Sequence, residues 1–258
     1  LSSCAIGKAS FVGGGTCNCV TGLSAFVGGG HINKVTGAAS SIVGGNTNTV
    51  SGSGAFVGGG NFNNAATKES FIGGGAGNAN GAACSVVTGG ESNTTSGAHA
   101  VIGGGKSNSA SGVNSVVGGG ESNSVTGTCS VAVGGKSHTV ASTNSFVGGG
   151  LCNETPSTSD FITIPGGQQN SVGANVDYGT IGGGRANCIT DNACDATIGG
   201  GQQNKACSDH TTVAGGKRNC AAGEQSFIGG GLLNVATGCR GIRVGGCKIG
   251  RASCMERV

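Results

Sequence analysis

Residues 10–24 read S-F-V-G-G-G-T-C-N-C-V-T-G-L-S, and residues 25–39 read A-F-V-G-G-G-H-I-N-K-V-T-G-A-A. The second stretch repeats the first after fifteen residues, and the beat runs on through the chain. Asn18, Asn33, Asn48, Asn63, Asn78, Asn93, Asn108 and Asn123 fall fifteen residues apart; His138 takes the next beat and Asn153 the one after. The interval lengthens to seventeen for Asn170, Asn187 and Asn204, then returns to fifteen for Asn219 and Asn234. A fixed period of this kind marks a solenoid, in which each repeat is one coil stacked on the last. Seventeen beats, counting Ser3 and Ile249, predict about as many coils. At about 4.8 Å per coil the rod is on the order of 75 to 80 Å long.

Two columns around the Asn define the coil. Six residues before each beat stands a β-branched or small apolar residue: Val12, Val27, Ile42, Val57, Ile72, Val87, Ile102 and Val117, then Ala132, Val147, Ile164, Ile181, Ile198, Val213 and Ile228. That is a strand composition. The position before it is apolar as well, with Phe11, Phe26, Phe56, Phe71, Phe146 and Phe227 and with Val86, Val101, Val116 and Val131. Neighbours in a strand point to opposite faces, so one column fills the coil and the other points out. An outward stripe of Phe and Val exceeds the few hundred Å² of apolar patch that a monomer ordinarily exposes. The stripe predicts association with further copies of the chain.

The positions three and four before the beat are Gly in all sixteen coils from Gly14 and Gly15 to Gly245 and Gly246. Strict Gly means a positive φ or an approach too close for a Cβ. Both are expected near the oligomer interface. The Asn column is expected to form a hydrogen-bonded ladder inside the solenoid, because each buried amide left unsatisfied costs about 1 to 3 kcal/mol. Asn93-Thr94-Thr95 and Asn153-Glu154-Thr155 are glycosylation sequons, but both fall on this structural column. Two residues before the beat, Glu91, Lys106, Glu121 and Lys136 alternate in sign. Stacked in register, each exposed pair contributes about 0.2 to 1 kcal/mol.

Composition excludes the other Gly-rich classes. The 258 residues hold 58 Gly but only two Pro, and Gly is not at every third position, so the chain is not collagen. Apolar residues in register with the repeat argue against disorder. No run of eighteen apolar residues occurs, so no membrane-inserting segment is read, and the first residues lack the basic-then-apolar pattern of a signal peptide. Leu1 begins part-way through a coil, so the chain is read as part of something longer. The net charge of +3 is concentrated at residues 240–258, where Arg240, Arg243, Lys248, Arg251 and Arg257 face Glu256 alone. Along the body, basic and aromatic residues are not interleaved, so nucleic acid is not expected as a partner.

Residues 154–212 depart from the regular coils of 1–153 and 213–258 within what reads as a single solenoid. Here Thr163, Thr180, Thr197 and Thr212 take the outward apolar position, and Pro156, Asp160, Pro165 and Tyr178 cluster. A bulged corner in a regular solenoid is a natural recognition surface for a receptor or glycan. Thirteen cysteines form no CxxC pair with matching His, which favours disulfides over a metal site. Cys4 with Cys19, and Cys239 with Cys254, share a column in neighbouring coils, inside the Cα window for a disulfide. Cys188, Cys194, Cys207 and Cys220 cluster in or beside the irregular zone without an evident pairing.

Chemistry is sparse. GGG recurs without the GxxxxGK[ST] spacing of a phosphate loop, and no two of His31, His99, His138 and His210 fall on one column in neighbouring coils. No cofactor, metal site or enzyme activity is expected. A hexapeptide-type acyltransferase needs a period of six, which fifteen does not fit. An ice-binding solenoid is the other alternative, but the Thr column covers four coils and forms no paired TxT ladder.

The coil S-F-V-G-G-G-x-x-N-x-V-x-G-x-x resembles the head repeats of trimeric autotransporter adhesins, whose pattern is close to S-V-A-I-G-x-x-A-x-A-x-G-x-x. The Ser, the two apolar strand positions, the Gly and the closing small-residue turn match over nearly the whole chain. The resemblance implies a left-handed parallel β-roll, three chains about one axis, and a role as a surface-exposed fibre or adhesive head. This coil is one residue longer, carries Asn where the family prefers Ala, and is rich in Cys. The combined expectation is an all-β, non-enzymatic homo-oligomer, stacking end to end in an extracellular, cell-surface or virion-surface fibre.

Overall fold

The computed structural model describes residues 2–246. Its regular structure is entirely β, with two-residue strands running from β1 (Cys4–Ala5) and β2 (Phe11–Val12) to β31 (Val235–Ala236) and β32 (Ile242–Arg243). Odd-numbered strands follow the Asn and form one 16-stranded parallel sheet; even-numbered strands carry the Phe and Val columns and form a second. The chain is therefore a parallel β-solenoid of 16 coils. The seventeenth beat, Ile249, lies outside the described residues. Contacts group the chain into two compact units, Leu1–Val125 and Thr126–Val258.

In the first unit the expected register holds coil by coil, as Phe11↔Phe26 with Val12↔Val27, and Phe56↔Phe71 with Val57↔Ile72. The column from Val27 to Val117 is fully buried. The sequence pattern identified one strand per coil, and the structure has two. The second begins one residue after the Asn and buries Val20, Val35, Val50, Ala65, Ala110 and Val125. Its apolar signal is broken by Asn80 and Thr95, which are buried as well. Asn80 Nδ2 donates to the Ser85 carbonyl at 2.7 Å, and the Ser85 hydroxyl reaches both Asn80 Oδ1 and Thr95 Oγ1. Two facing β-branched side chains already fill a coil this narrow, which is why aromatic residues stay outside.

A third contact run joins the position two before each Asn, from Thr16↔His31 through Glu91↔Lys106 and Lys106↔Glu121. The alternating charges are thus in register, and Lys106 Nζ lies 3.3 Å from Glu91 Oε2. Corners between these runs use left-handed backbone at residues other than Gly. Ile32 has φ +53° and Ala39 φ +52°. Such a conformation costs roughly 1–2 kcal/mol for a residue with a Cβ. It turns the peptide N–H back to the preceding coil: Ile32 donates to the Thr16 carbonyl at 3.1 Å and Ala39 to the Leu23 carbonyl at 2.8 Å. The hydrogen bonds offset the strain and close the corner.

The second unit repeats the plan with one change. Strands of the two sheets begin nine residues apart at Glu154 and Thr163, Ser171 and Thr180, and Cys188 and Thr197, against seven at Lys205 and Thr212. The seventeen-residue coils therefore place both extra residues in the corner between the sheets. Ile162 and Val176 are fully buried there. A Cβ added at Gly179 would meet Val176 at 3.0 Å, Ile162 at 3.1 Å and Ile189 at 3.3 Å. The enlarged corner thus has its own packed interior.

Candidate interaction surface

The Asn column forms the expected ladder. Asn48 Nδ2 donates to the Gly44 carbonyl of its own coil at 3.1 Å and to the Gly60 carbonyl of the next at 2.8 Å. Its Oδ1 accepts the backbone N–H of Asn63 at 3.0 Å. The same pattern recurs in the second unit at Asn187, Asn204 and Asn219. At the first coil Ser3 stands in for Asn, its Oγ accepting the Asn18 N–H at 3.1 Å. Asn93 and Asn153 are fully buried members of the ladder with both Nδ2 bonds made, so the folded sequons are occupied structurally.

His138 holds its rung differently. It is fully buried, and its Nδ1 accepts the Asn153 N–H at 3.0 Å. That bond needs Nδ1 unprotonated, and burial pushes the imidazole below its usual range.

The two Gly columns have different causes, which divides the single expectation made for them. From Gly15 to Gly231, the Gly three before each beat has φ between +78° and +97°. A Cβ at Gly45 would lie 2.2 Å from the Gly60 carbonyl oxygen of the next coil, so this column is required within the chain. The Gly four before the beat is open: a Cβ at Gly14, Gly29, Gly44 or Gly74 meets nothing within 4 Å. At these four positions φ lies outside the left-handed region. The Asn Nδ2 takes the carbonyl of this residue, which leaves its Cα facing out.

The outward column of the second sheet lies against the glycine five before each beat: a Cβ at Gly13, Gly28, Gly58 or Gly73 would come within 3.3 to 3.5 Å of the ring of Phe11, Phe26, Phe56 or Phe71. In the first unit Phe11 is 56% exposed and Phe26 and Phe71 are each 38% exposed, while Phe56 and Val86, Val101 and Val116 are half-buried. Successive rings stack, with centroids 5.7 Å apart for Phe11 and Phe26 and 5.3 Å for Phe56 and Phe71. Phe146 and Phe227 present the same exposed position in the second unit. Between them Thr163, Thr180, Thr197 and Thr212 are paired in register.

The extended corners carry a second cluster. Phe161 and Tyr178 stack at 4.9 Å and remain 45% and 57% exposed. Asp177 Oδ1 accepts the Asp160 N–H at 3.1 Å, and Asp191 Oδ1 the Ala174 N–H at 2.8 Å, so these carboxylates cap backbone. His210 Nδ1 lies 3.5 Å from Asp195 Oδ2.

The Cys4 and Cys19 sulfurs stand 3.4 Å apart as thiols in the expected register. Cys239 is exposed, and Cys254 lies outside the described residues, as do Lys248, Arg251 and Arg257 of the basic end. A pairing that the sequence did not resolve joins Cys207 and Cys220, also with sulfurs 3.4 Å apart. The missed signal is diagonal: the two occupy alternate outward positions, not one column. Among the described residues no group of three His, Cys, Asp or Glu is placed to hold a metal ion, and no helix is long and apolar enough to cross a membrane.

Fold and surface together define a parallel β-solenoid repeat protein. Comparison with protein-family models and with curated proteins finds no match.

Proposed function

We propose that the chain is a non-enzymatic structural protein, a self-associating segment of an extracellular, cell-surface or virion-surface fibre. The observation that carries this reading is the apolar stripe of the first unit, stacked in register on the outer face of its sheet. Phe11, Phe26, Phe56 and Phe71 offer about 300 Å² per copy, from side chains of about 200 Å² each. With Val86, Val101 and Val116, two copies contribute about 800 Å² from the stripe alone, to which flanking residues add toward the roughly 1,000 Å² of a specific interface. A partner that matches every coil needs the same repeat distance, which a second copy of this chain supplies. Three copies about one axis is the arrangement the adhesin resemblance implies. Size exclusion with light scattering tests the reading: a stable oligomer is expected, and a soluble monomer at micromolar concentration refutes it.

Attachment to a surface receptor or glycan falls to the extended corners, where Phe161 and Tyr178 project. Deleting residues 154–204, which leaves Asn153 and Asn219 fifteen residues apart, is expected to abolish attachment while the remaining coils still assemble. Unchanged attachment refutes this part alone.

A further inference from the structure

Cys220 opens the strand Cys220–Ala221, which pairs with Lys205–Ala206; Cys207 follows that strand directly and donates its backbone N–H to the Ala221 carbonyl at 2.8 Å. Both cysteines lie on the outward side of the sheet, half-buried, while Ala206 and Ala221 between them face the core. Their sulfurs are 3.4 Å apart, and the sheet holds both backbones in place. A disulfide requires a sulfur separation of about 2.05 Å, so closing the pair brings the two sulfurs together by a little over 1 Å.

We propose that Cys207 and Cys220 form a thiol–disulfide exchange site that takes a small-molecule disulfide and closes to a cross-link between successive coils. The roles of the two sulfurs follow from their surroundings. The hydrogen bond between the two sulfurs holds the Cys220 thiol down to about 7, assisted by the charge of Lys205 and opposed by burial. The same contact, with burial, pushes the Cys207 thiol up, so it stays protonated. Lys205 stands directly opposite Cys220 across the ladder, where its charge favours a thiolate, so Cys220 is the attacking sulfur and Cys207 the resolving one.

In the first step the Cys220 thiolate attacks one sulfur of R–S–S–R; a bond forms between them, the external S–S bond breaks, and RS⁻ leaves. Cys207 then loses its proton and attacks Cys220 Sγ of the mixed disulfide, expelling the second RS⁻. The two protein thiol protons end on the two released thiols. The protein dithiol is oxidised to one disulfide and the external disulfide is reduced to two RSH. The cross-link ties the coil of Asn204 to that of Asn219, where the period returns from seventeen to fifteen.

Cys4 and Cys19 supply an internal comparison. Their sulfurs are equally close, but the Cys19 thiol is pushed up by its hydrogen bond with Cys4 and by burial. The full-length chain, reduced and desalted, is exposed to glutathione disulfide, quenched by alkylation at intervals, and mapped by peptide mass spectrometry. The Cys207–Cys220 disulfide is expected to form about tenfold faster than Cys4–Cys19, since exchange follows the thiolate fraction. Its rate is expected to rise through pH of about 7. Cys207→Ser traps a glutathione adduct on Cys220, and Cys220→Ser removes the reaction at both positions. Three results overturn the proposal: Cys220 reacting no faster than the exposed Cys152, an adduct in the unaltered chain that persists without closing, or no adduct in Cys207→Ser. Circular dichroism checks both variants for folding, and if either fails to fold, the order of reaction in the unaltered chain decides alone.

Discussion

The backbone N–H of Asn63 donates to Oδ1 of Asn48 at 3.0 Å, so each coil is fastened to the one before it through a buried side chain. Asn48 also takes the carbonyls of Gly44 and Gly60, and one amide therefore satisfies three backbone groups. Replacing Asn48 with Ala removes all three bonds and leaves the Asn63 N–H and the Gly44 carbonyl without these partners, while the Gly60 carbonyl keeps the Asn46 N–H at 2.9 Å. At about 1 kcal/mol for each lost bond, the expected destabilisation is about 3 kcal/mol. Urea denaturation followed by circular dichroism measures it, and a loss below about 0.5 kcal/mol would contradict the ladder as a source of stability.

Among the described residues one rung, His138, is neither Asn nor Ser, and it makes the solenoid pH-sensitive. The His138 imidazole titrates below its unfolded value of 6.5 because burial disfavours its charged form. Between those two values the unfolded chain binds more protons, so stability rises with pH there. It is complete above about 6.5 and declines as the pH falls through that value toward the folded one. Denaturation midpoints from pH 5 to 8 are expected to show this slope, and His138→Asn, which restores the common rung, to remove it. An identical slope in the variant would assign the effect elsewhere.

Adjacent glycines separate folding from assembly. Gly45→Ala places a Cβ 2.2 Å from the Gly60 carbonyl oxygen at a φ of +93° and is expected to cost more than about 3 kcal/mol. Gly44→Ala meets nothing within 4 Å. Its expected effect on chain stability is within about 0.5 kcal/mol. Yet it obstructs the proposed interface, and light scattering is expected to show a dissociated chain. If Gly44→Ala assembles normally, the open column is not part of the contact.

The stripe itself is tested by polar replacement. The triple variant Phe26→Ser, Phe56→Ser, Phe71→Ser changes only outward positions, so the fold is expected to persist while the oligomer is lost. Sedimentation velocity distinguishes this from an oligomer held by another face.

In the extended corner, Ile162→Ala removes the side chain that packs beside Val176 and Gly179. A loss of about 2 to 5 kcal/mol is expected, because the corner cannot collapse between fixed sheets. A loss below about 1 kcal/mol in thermal or urea unfolding would mean that the corner is not a packed core.

The ladder, the buried Val and Ile column, the outward Phe and the charge register were legible in the sequence, because each recurs at a fixed offset from Asn. The second sheet was not, although Val20, Val35 and Val50 recur at one offset, because Asn80, Thr95 and several Ala interrupt its inward column. Buried hydrogen bonds, not hydrophobicity, keep those polar residues inside. Nor did the pattern distinguish the two glycines of each pair, since identity alone does not separate a strained φ from an open surface.

By itself, the sequence determined the period and which strand residues point in, because a stacked repeat converts offset into position. Only the tertiary structure decided that Gly45 answers to the next coil while Gly44 faces out. It also decided that two extra residues fill a corner with Ile162 and Val176, and that Cys207 meets Cys220. Those outcomes depend on distances between coils, which periodicity places in order but does not measure.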